Sequence, residues 1–263
     1  MDKTKLTKKE KACIERLQHA VGKTIGLFDL IQENDSILIG LSGGKDSLIL
    51  TEILANRLRY SAVKYTIIAV HVKVREVSYE VDSDYLRRFC ESLNVTFIYK
   101  EVGLTKEIRD NNPCFPCSWS RRKELFAIAR ENNCNKIATG HHADDALETM
   151  LMNMAMHGRI SSIPACFPLF DGEIMFIRPL IQIFEDNLKQ FSHIKQYPSL
   201  KQPCPFDHIT RRKQFRTIID SIEDMHPGSK TNMYNSMSNL IKEYIPFHRT
   251  FIKEVDTKFN LDT

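Results

Sequence analysis

Residues 37–47 read ILIGLSGGKDS, an apolar run followed at once by a loop rich in glycine and hydroxyl groups. A helical pattern comes next, so the order is strand, tight loop, helix. Two glycines let the backbone approach an anion closely, and the first N–H groups of the helix point at the same place, where the helix dipole favours negative charge. The stretch predicts a phosphate-binding loop at the end of a sheet strand.

The polar residues of this loop indicate its ligand. Ser42 and Ser47 supply hydroxyl donors, Lys45 supplies a positive charge, and Asp46 suits a Mg²⁺ ion that faces phosphates. A Walker-type loop needs Ser or Thr directly after its lysine, whereas Asp46 follows Lys45 here, and the GxGxxG fingerprint is absent. The alternative is an ordinary Gly-Gly turn, which the flanking strand and helix make improbable.

Strand-like runs alternate with helical patterns through the first two thirds of the chain. The runs lie at residues 37–41, 65–72, 95–99 and 136–140. Such alternation predicts right-handed βαβ units and an α/β fold with a doubly wound parallel sheet covered on both faces. Ligands of these sheets bind at the carboxyl ends of the strands, where residues 42–47 fall.

A second polar segment, GHHADD at residues 140–145, ends the fourth strand run and begins a helix. We expect it to lie close to residues 42–47. One of its two carboxylates is expected to join Asp46 around Mg²⁺, and Asp144 is favoured over Asp145; a plain helix N-cap is the alternative. Adenine contacts are expected through backbone groups at residues 70–72, which include His71.

Composition sets further limits. Of the 263 residues 42% are hydrophobic and 27% charged, as in a soluble globular protein. We see no apolar run long enough to cross a bilayer and no secretory signal, so we expect a cytoplasmic protein without a membrane partner. Seven cysteines is an odd number, and without a secretory context we expect thiols or metal ligands rather than a disulfide framework.

Three cysteines are placed like ligands. Cys114 and Cys117 form a CxxC among prolines, and Cys204 stands between two prolines. Three interpretations stay open: a structural zinc site, a redox dithiol at the start of a helix, or an iron–sulfur site with one open iron. The prolines favour a fixed site, since they limit helix formation around each thiol.

Each cysteine segment is followed by a basic triplet. One triplet contains Arg121 and Arg122, and the other contains Arg211 and Arg212. Solvated helix faces are the ordinary explanation, but such clusters also bind RNA phosphates. Arg178, in the stretch FIRPL at residues 176–180, is expected either to contact ATP or RNA or to pair with a carboxylate.

The hexapeptide SGGKDS resembles the loop of the PP-loop ATP pyrophosphatases. With PCxxC, the basic triplets, GHHxDD, FIRPL and the late cysteine, the chain from about Lys5 to about Pro227 resembles the tRNA 2-thiocytidine synthetase (tRNA cytidine sulfurtransferase) family. Many members carry a second CxxC at the late cysteine, where this chain has Asp207. That departure leaves the target nucleotide open.

The resemblance implies an ATP-dependent enzyme that adenylates the O2 of a cytidine in the tRNA anticodon loop and replaces it with sulfur held at a [4Fe–4S] cluster. A cysteine desulfurase would supply the sulfur, and members tend to be homodimers. By motif, the resemblance implies cluster ligands Cys114, Cys117 and Cys204, and pyrophosphate held at Gly43, Gly44 and Ser47. From the residues themselves we expect catalytic roles for Lys45 and Asp46 and further ATP contacts at Ser42 and Gly140. The expected RNA contacts are Arg121, Arg122, Arg211 and Arg212.

Four regions are expected along the chain. They are a basic N-terminal helix in residues 1–34, a PP-loop ATP-binding domain with an inserted CxxC segment in 35–180, a helical appendage carrying Cys204 in 181–240, and a tail in 241–263. Two alternative functions are a PP-loop ligase that uses a nitrogen nucleophile on tRNA or a small molecule, and a nucleotide-binding sensor structured by zinc.

Overall fold

A computed structural model describes residues 6–77, 81–104, 114–198, 211–241 and 244. In this part of the chain the helices are α1 (Lys8–Leu27), α2 (Lys45–Arg57), α3 (Ser83–Ser92), α4 (Cys114–Glu131), α5 (Ala143–His157), α6 (Glu185–Lys195), α7 (Arg211–Met225) and α8 (Ser229–Ser236). The strands are β1 (Asp35–Gly40), β2 (Tyr65–Val74), β3 (Thr96–Val102), β4 (Lys136–Ala138), β5 (Cys166–Leu169) and β6 (Ile174–Ile177).

The strands form one mostly parallel sheet in the order β3-β2-β1-β4-β6-β5. Strands β1 to β4 and β6 run parallel, and β5 pairs antiparallel with β6 at the edge. The chain winds outward from β1 through β2 to β3 and then returns to the other side of β1 to form β4. The order therefore reverses between β1 and β4, where a crevice opens at the carboxyl ends of the strands. The predicted α/β fold is confirmed.

Helices cover both faces of this sheet, and the alternation of side chains along β1 shows it. Ile37 and Ile39 pack with residues of α1, α2, α3 and α6, while Leu38, between them, packs with Ile128 of α4 and Ile137 of β4. All three β1 side chains are fully buried. A strand buried on both faces reads as a continuous apolar run, as residues 37–39 do.

The N-terminal helix was predicted to end near residues 33–35, and this is wrong. It begins with a capping box between Thr7 and Glu10 and ends at Leu27. Asp29 then has a φ of 47°, which turns the chain so that Leu30 and Ile31 enter the core. Apolar residues beyond the helix extended the sequence pattern past its true end.

The second half of the chain contains elements that the pattern did not reveal. Strands β5 and β6 form a hairpin whose turn has positive φ at Phe170, Asp171 and Gly172. Helices α6 and α8 were also missed. Within the range expected to form a helical appendage, α7 packs together with α8 on α5. Within the described ranges, no helix has both the length and the apolarity that a bilayer crossing requires.

Candidate functional site

The loop between β1 and α2 has the shape that its glycines predicted. Gly43 has a φ of +83°, and a Cβ at this position would lie 2.6 Å from Cγ1 of Val81. The Ser42 hydroxyl donates a hydrogen bond to the Ser47 hydroxyl at 3.2 Å, and the Ser47 hydroxyl donates to the Gly44 carbonyl at 2.8 Å. The hydroxyl groups therefore fix a tight turn that only glycine accommodates at position 43.

Helix α2 begins directly at this loop. Its N-cap is Gly44, which provides no side-chain acceptor, and its first residues are Lys45 and Asp46. The N–H groups of a first helical turn have no intrahelical acceptor, and the helix dipole places partial positive charge there. The start of α2 is consequently suited to bind an anionic phosphate group.

Lys45 is held by two carboxylates. Its Nζ lies 2.9 Å from Oε1 of Glu185 and 3.2 Å from Oδ1 of Asp46. Burial lowers the pKa of Lys45, but the two carboxylates outweigh burial, so the pKa is raised and the ammonium stays charged. Glu185 is the first residue of α6, and sequence reasoning missed it because α6 itself was not predicted.

The two strand-end loops meet, as predicted. A Cβ on Gly140 would lie 3.0 Å from the carbonyl carbon of Asp46 and 3.1 Å from the backbone N of Ser47. The backbone of the GHHADD loop therefore touches the first turn of α2, and a side chain at position 140 would force the loops apart. Gly140 shapes the site through this close approach.

The carboxylates of Asp144 and Asp145 point to different places. Asp144 is buried, and its Oδ2 accepts the Glu185 N–H at 2.7 Å and lies 3.6 Å from Nδ1 of His142. Asp145 lies at the wall of the cleft with Asp46, and its Oδ1 accepts a hydrogen bond from Arg212 at 3.2 Å. The Oδ2 of Asp145 also accepts the His142 N–H at 3.0 Å. Asp145 lines the cleft and Asp144 does not, and which of the two joins Asp46 around Mg²⁺ stays a prediction.

Between the two loops lies a cleft of about 490 Å³. Its walls include Val70, His71 and Val72 from the end of β2, the segment expected to contact adenine. His71 Nδ1 donates to the Leu41 carbonyl at 2.8 Å, and its ring stacks on Tyr99. This fixes the imidazole at the wall of the cleft; its contact with adenine stays a prediction.

The adjacent histidines of GHHADD have opposite pKa shifts. Burial lowers the pKa of His141 to about 4, and the nearby Arg178 and Arg212 add to the effect against the opposing charge of Asp145. Burial also opposes protonation of His142, but Asp144, Asp145 and Asp46 outweigh it and raise its pKa. At neutral pH His141 is a neutral side chain, and His142 carries positive charge more readily than an ordinary histidine.

Cys114 and Cys117 form the first turn of α4, contrary to the expectation that prolines limit helix formation here. Pro116 is the third residue of the helix, where a proline is tolerated because that N–H would have no intrahelical acceptor. By helical spacing the two thiols lie on the same face as Arg121 and Leu125, which line the cleft.

Cys117 packs with Val74 and Val77 at the end of β2, and Val81, which approaches Gly43, packs against the same cluster. The CxxC is therefore placed at the sheet edge that carries the phosphate loop. Cys204 lies outside the described residues, so the convergence of three thiols stays a prediction.

Some arginines of the two basic triplets line the cleft, and others lie outside it. Arg121 and Arg212 line the cleft, whereas Arg122 is exposed. Arg211 begins α7, but its side chain lies outside the described part of the chain. Their contacts with RNA stay predictions.

Arg216, also on α7, was not singled out by sequence reasoning. It donates to buried Glu148 of α5 at 2.6 Å, and Arg212 lies 4.0 Å from the same carboxylate. Burial raises the pKa of Glu148 despite these arginines. The pair fixes α7, which follows the Cys204 segment, to the helix that begins with GHHADD.

Arg178 has a structural role. It donates to the Pro164 carbonyl at 2.7 Å, and its guanidinium lies 5.0 Å from the centroid of the Phe176 ring. Burial, together with Arg122, lowers the pKa of Arg178 to about 10. The residue ties the loop before β5 to the end of β6, and it pairs with no carboxylate of the described residues.

Comparison with known proteins gives a consistent result. The PP-loop domain family matches residues 10–219, a range that contains the phosphate loop, the CxxC, GHHADD and Cys204. A tRNA-cytidine(32) 2-sulfurtransferase of Pectobacterium atrosepticum is 31% identical over 245 residues, which cover 90% of this chain and 78% of the relative. The chain belongs to the tRNA 2-thiocytidine synthetase family of PP-loop proteins.

Further relatives agree with this family. A protein of the same name from Neisseria gonorrhoeae is 33% identical over 252 residues, covering 92% of this chain and 77% of the relative. Among solved structures, the U34-tRNA thiolase NcsA from Methanococcus maripaludis with its [4Fe–4S] cluster superposes with a TM-score of 0.70 at 28% identity, covering 90% of this chain and 80% of that one.

The residues present fit the groups that the family implies. The buried Oδ1 of Asp46 accepts no hydrogen bond, although Lys45 is near, so this oxygen is suited to a cation. With Asp145 it gives two carboxylates, the usual protein complement of a Mg²⁺ ion that also binds phosphates. Cys114 and Cys117 on one helix face supply soft thiolate donors suited to iron–sulfur ligation.

Proposed function

We propose that this protein is an ATP-dependent tRNA sulfurtransferase that adenylates the O2 of a cytidine in the anticodon loop and replaces this oxygen with sulfur. The observation that carries the proposal is the shared cleft. The phosphate loop, the GHHADD loop and two residues of α4, Arg121 and Leu125, line one space. Cys114 and Cys117 lie on the same face of α4, one to two turns before them. Nucleotide activation and sulfur insertion need that proximity, because the activated base must meet both groups.

In the first step, the cytidine O2 attacks the α-phosphorus of ATP, the bond to the β-phosphate oxygen breaks, and pyrophosphate leaves. Lys45 and the first N–H groups of α2 are positioned to bind the phosphates and to stabilise the charge that grows on the leaving group. Asp46 and Asp145 would hold Mg²⁺, which screens the negative charges of the phosphates from one another. Asp144, in contrast, supports the start of α6.

In the second step, sulfur adds at C2 of the activated base and AMP leaves with the former O2. Cys114, Cys117 and Cys204 would hold a [4Fe–4S] cluster, which supplies the sulfur when bound. The thiols of the CxxC begin the helix whose next turn carries Arg121, a residue of the cleft wall. Arg121 is thus placed to bind a phosphate of ATP or of the RNA.

The proposed partners follow from this chemistry. tRNA is the substrate, with Arg122, Arg211 and Arg212 as candidate phosphate contacts, and we place the reaction in the cytoplasm. A cysteine desulfurase as sulfur source and a homodimeric assembly complete the proposal.

The decisive experiment is mass spectrometry of tRNA nucleosides from cells with and without this protein. Loss of 2-thiocytidine in cells without the protein supports the proposal. Loss of a 2-thiouridine instead would show that the target nucleotide is a uridine and not a cytidine. An unchanged set of thiolated nucleosides contradicts thiolation altogether. In vitro, ATP should yield AMP and pyrophosphate on addition of tRNA, and ADP would be contrary to PP-loop chemistry.

The ligand set is tested separately by anaerobic purification and metal analysis. Cys114→Ser, Cys117→Ser and Cys204→Ser should each lose most iron and acid-labile sulfide. Cys166→Ser is the matched control, because Cys166 lies in β5 and is only partly buried. Zinc without iron in the wild-type protein would support the zinc-structured sensor, and full activity of all three variants would support a ligase with a nitrogen nucleophile.

A further inference from the structure

We propose that Arg212 of α7 binds the phosphate chain of ATP, and that it becomes free for this contact when Mg²⁺ displaces it from Asp145. The inference rests on the ATP chemistry of the proposed function and assigns a further residue to it. Arg212 lines the cleft together with Ser42, Asp46 and Ser47. Its Nη1 lies 3.2 Å from Oδ1 of Asp145, which lines the same cleft.

The turn of α7 that carries Arg212 is held in place by the residue four positions later. Nε of Arg216 lies 2.6 Å from Oε1 of Glu148, whose side chain is 1% exposed, and its Nη1 lies 3.7 Å from Oε2 of Glu185. These two carboxylates belong to α5 and α6. Because Arg216 already fixes the helix, Arg212 can change its partner without a movement of the backbone.

The contacts of Arg212 itself are weaker. Its hydrogen bond to Asp145 is 3.2 Å long, and its Nε lies 4.0 Å from Oε2 of Glu148, beyond hydrogen-bond distance. The Arg212 side chain is 42% exposed, so water screens both contacts and they contribute little to stability. A cation of higher charge can therefore compete with Arg212 for Asp145.

The charges in the cleft give the reason for the exchange. Asp46 and Asp145 both line the cleft, and like charges that share one space repel each other. Arg212 reduces this repulsion before nucleotide binds. It would give up Asp145 when Mg²⁺ arrives with ATP, because the ion carries twice the charge and prefers carboxylate oxygens. The guanidinium then faces phosphate oxygens, which its planar set of donors matches.

The position of Arg212 favours ATP over RNA as the source of these phosphates. Arg212 shares the cleft wall with Ser42 and Ser47 of the phosphate loop, whereas Arg122 of the other basic triplet is exposed. The start of α2 is suited to bind the phosphates of a nucleotide, and a cation on the wall of the same cleft is placed to meet them. We expect RNA phosphates to follow exposed cations such as Arg122 instead.

The test measures metal binding and nucleotide binding separately, on the full-length protein with its cluster. Mn²⁺ replaces Mg²⁺ as the probe without nucleotide, and electron paramagnetic resonance of free Mn²⁺ gives its affinity. In Arg212→Ala, Mn²⁺ should bind roughly two- to fivefold more tightly, because the competing cation is gone. The analogue α,β-methylene-ATP with Mg²⁺, measured by calorimetry, should bind roughly 10- to 100-fold more weakly. A merely structural residue would not change the two affinities in opposite directions.

Two further variants serve as controls. Arg212→Lys keeps the charge but not the planar donors, so its Mn²⁺ affinity should match the wild type, while its affinity for the analogue should be only partly restored. Arg159→Ala removes an exposed arginine of the loop after α5 and should leave both affinities unchanged. Circular dichroism and thermal unfolding show whether Arg212→Ala is folded, and Arg212→Gln takes its place if it is not.

The outcomes separate this inference from the proposed function. If a folded Arg212→Ala binds the analogue as the wild type does, the inference is refuted, and weaker binding of an anticodon stem-loop RNA by the same variant would assign Arg212 to the RNA. Equal Mn²⁺ binding by both proteins, undetectable binding included, also refutes the displacement from Asp145. If both affinities change as expected but the wild type does not thiolate tRNA, the nucleotide contact stands and the proposed function is refuted.

Discussion

The ammonium of Lys45 lies 2.9 Å from the carboxylate of Glu185, a residue 140 positions further along the chain. The backbone N–H of Glu185 donates to Asp144 of the GHHADD loop at 2.7 Å. One residue at the start of α6 therefore joins the phosphate loop to the second strand-end loop. The lysine that is expected to bind phosphate is held by carboxylates before any nucleotide arrives.

Removing this carboxylate should change the metal requirement. In Glu185→Gln, Asp46 is the remaining carboxylate within 4 Å of Lys45 among the described residues, so the ammonium competes more strongly with Mg²⁺ for Asp46. We expect the Mg²⁺ concentration for half-maximal activity to rise roughly fivefold, the equivalent of one partly exposed ion pair.

The measurement is pyrophosphate release at a fixed ATP concentration and varied Mg²⁺. Asp186→Asn is the matched control, because its side chain is 85% exposed at the next position of α6. An unchanged Mg²⁺ dependence in Glu185→Gln would argue against competition at Asp46.

Substitution of the two adjacent aspartates should have different effects, one mainly on activity and the other mainly on the stability of the fold. Asp145 borders the cleft, so Asp145→Asn should lower pyrophosphate release by at least about 100-fold while the protein stays folded. Asp144 lies behind the cleft wall, and Asp144→Asn should mainly destabilise the fold. Equal loss of activity in both variants, with equal stability, would contradict this division.

The stability of Asp144→Asn should depend on pH in a defined direction. Burial raises the pKa of Asp144, but His142, the Glu185 N–H and Lys230 outweigh burial and lower it to about 2 from 3.8. Because the folded-state pKa is lowered, the carboxylate stabilises the protein fully above about pH 4 and loses this effect as the pH falls through about 2. We expect a deficit of about 2 kcal/mol at neutral pH that shrinks in acid, measured by urea unfolding.

A methyl group at position 43 should block the phosphate loop. Gly43→Ala combines a φ of +83° with a contact of 2.6 Å to Val81, whereas Gly172→Ala has a similar φ of +89° with nothing within 4 Å. Both variants lose roughly 1 kcal/mol to the backbone conformation, and only Gly43→Ala adds a steric clash. The KM for ATP should rise in Gly43→Ala alone.

Val81→Ala removes the methyl groups that a Cβ at position 43 would meet. The double variant Gly43→Ala/Val81→Ala should therefore recover part of the ATP affinity. A Gly43→Ala variant with normal KM, or a double variant no better than the single one, would show that this contact does not shape the site.

The pKa values of the two adjacent histidines should differ widely. His141 is expected to titrate near 4 and His142 above 6.5, measured by NMR of labelled imidazoles and assigned with His141→Asn and His142→Asn. Since the folded-state pKa of His142 is raised, its contribution to stability is complete below 6.5 and is lost as the pH rises through its folded value. The reverse order of the two pKa values would contradict the burial and charges described for this loop.

The sequence predicted those parts of the fold and site that depend on local patterns. A run such as residues 37–41 before two glycines and a helix specifies strand, loop and helix together, and the strand-end rule then brought Gly140 beside Asp46. Glu185 could not be found in this way, because its contact with Lys45 depends on where α6 packs. The difference between Asp144 and Asp145 is one of side-chain direction, which a pair of identical adjacent residues does not encode.

Both borders of the sheet bear on how copies of this protein could associate. On one side the outermost strand β5 is four residues long and contains Pro168, which has no N–H to offer to another strand. On the other side β3 carries the charged residues Lys100 and Glu101. Such borders disfavour strand addition, so we expect a second copy to attach through helices or loops. We expect the same property to disfavour edge-to-edge aggregation of a newly made chain.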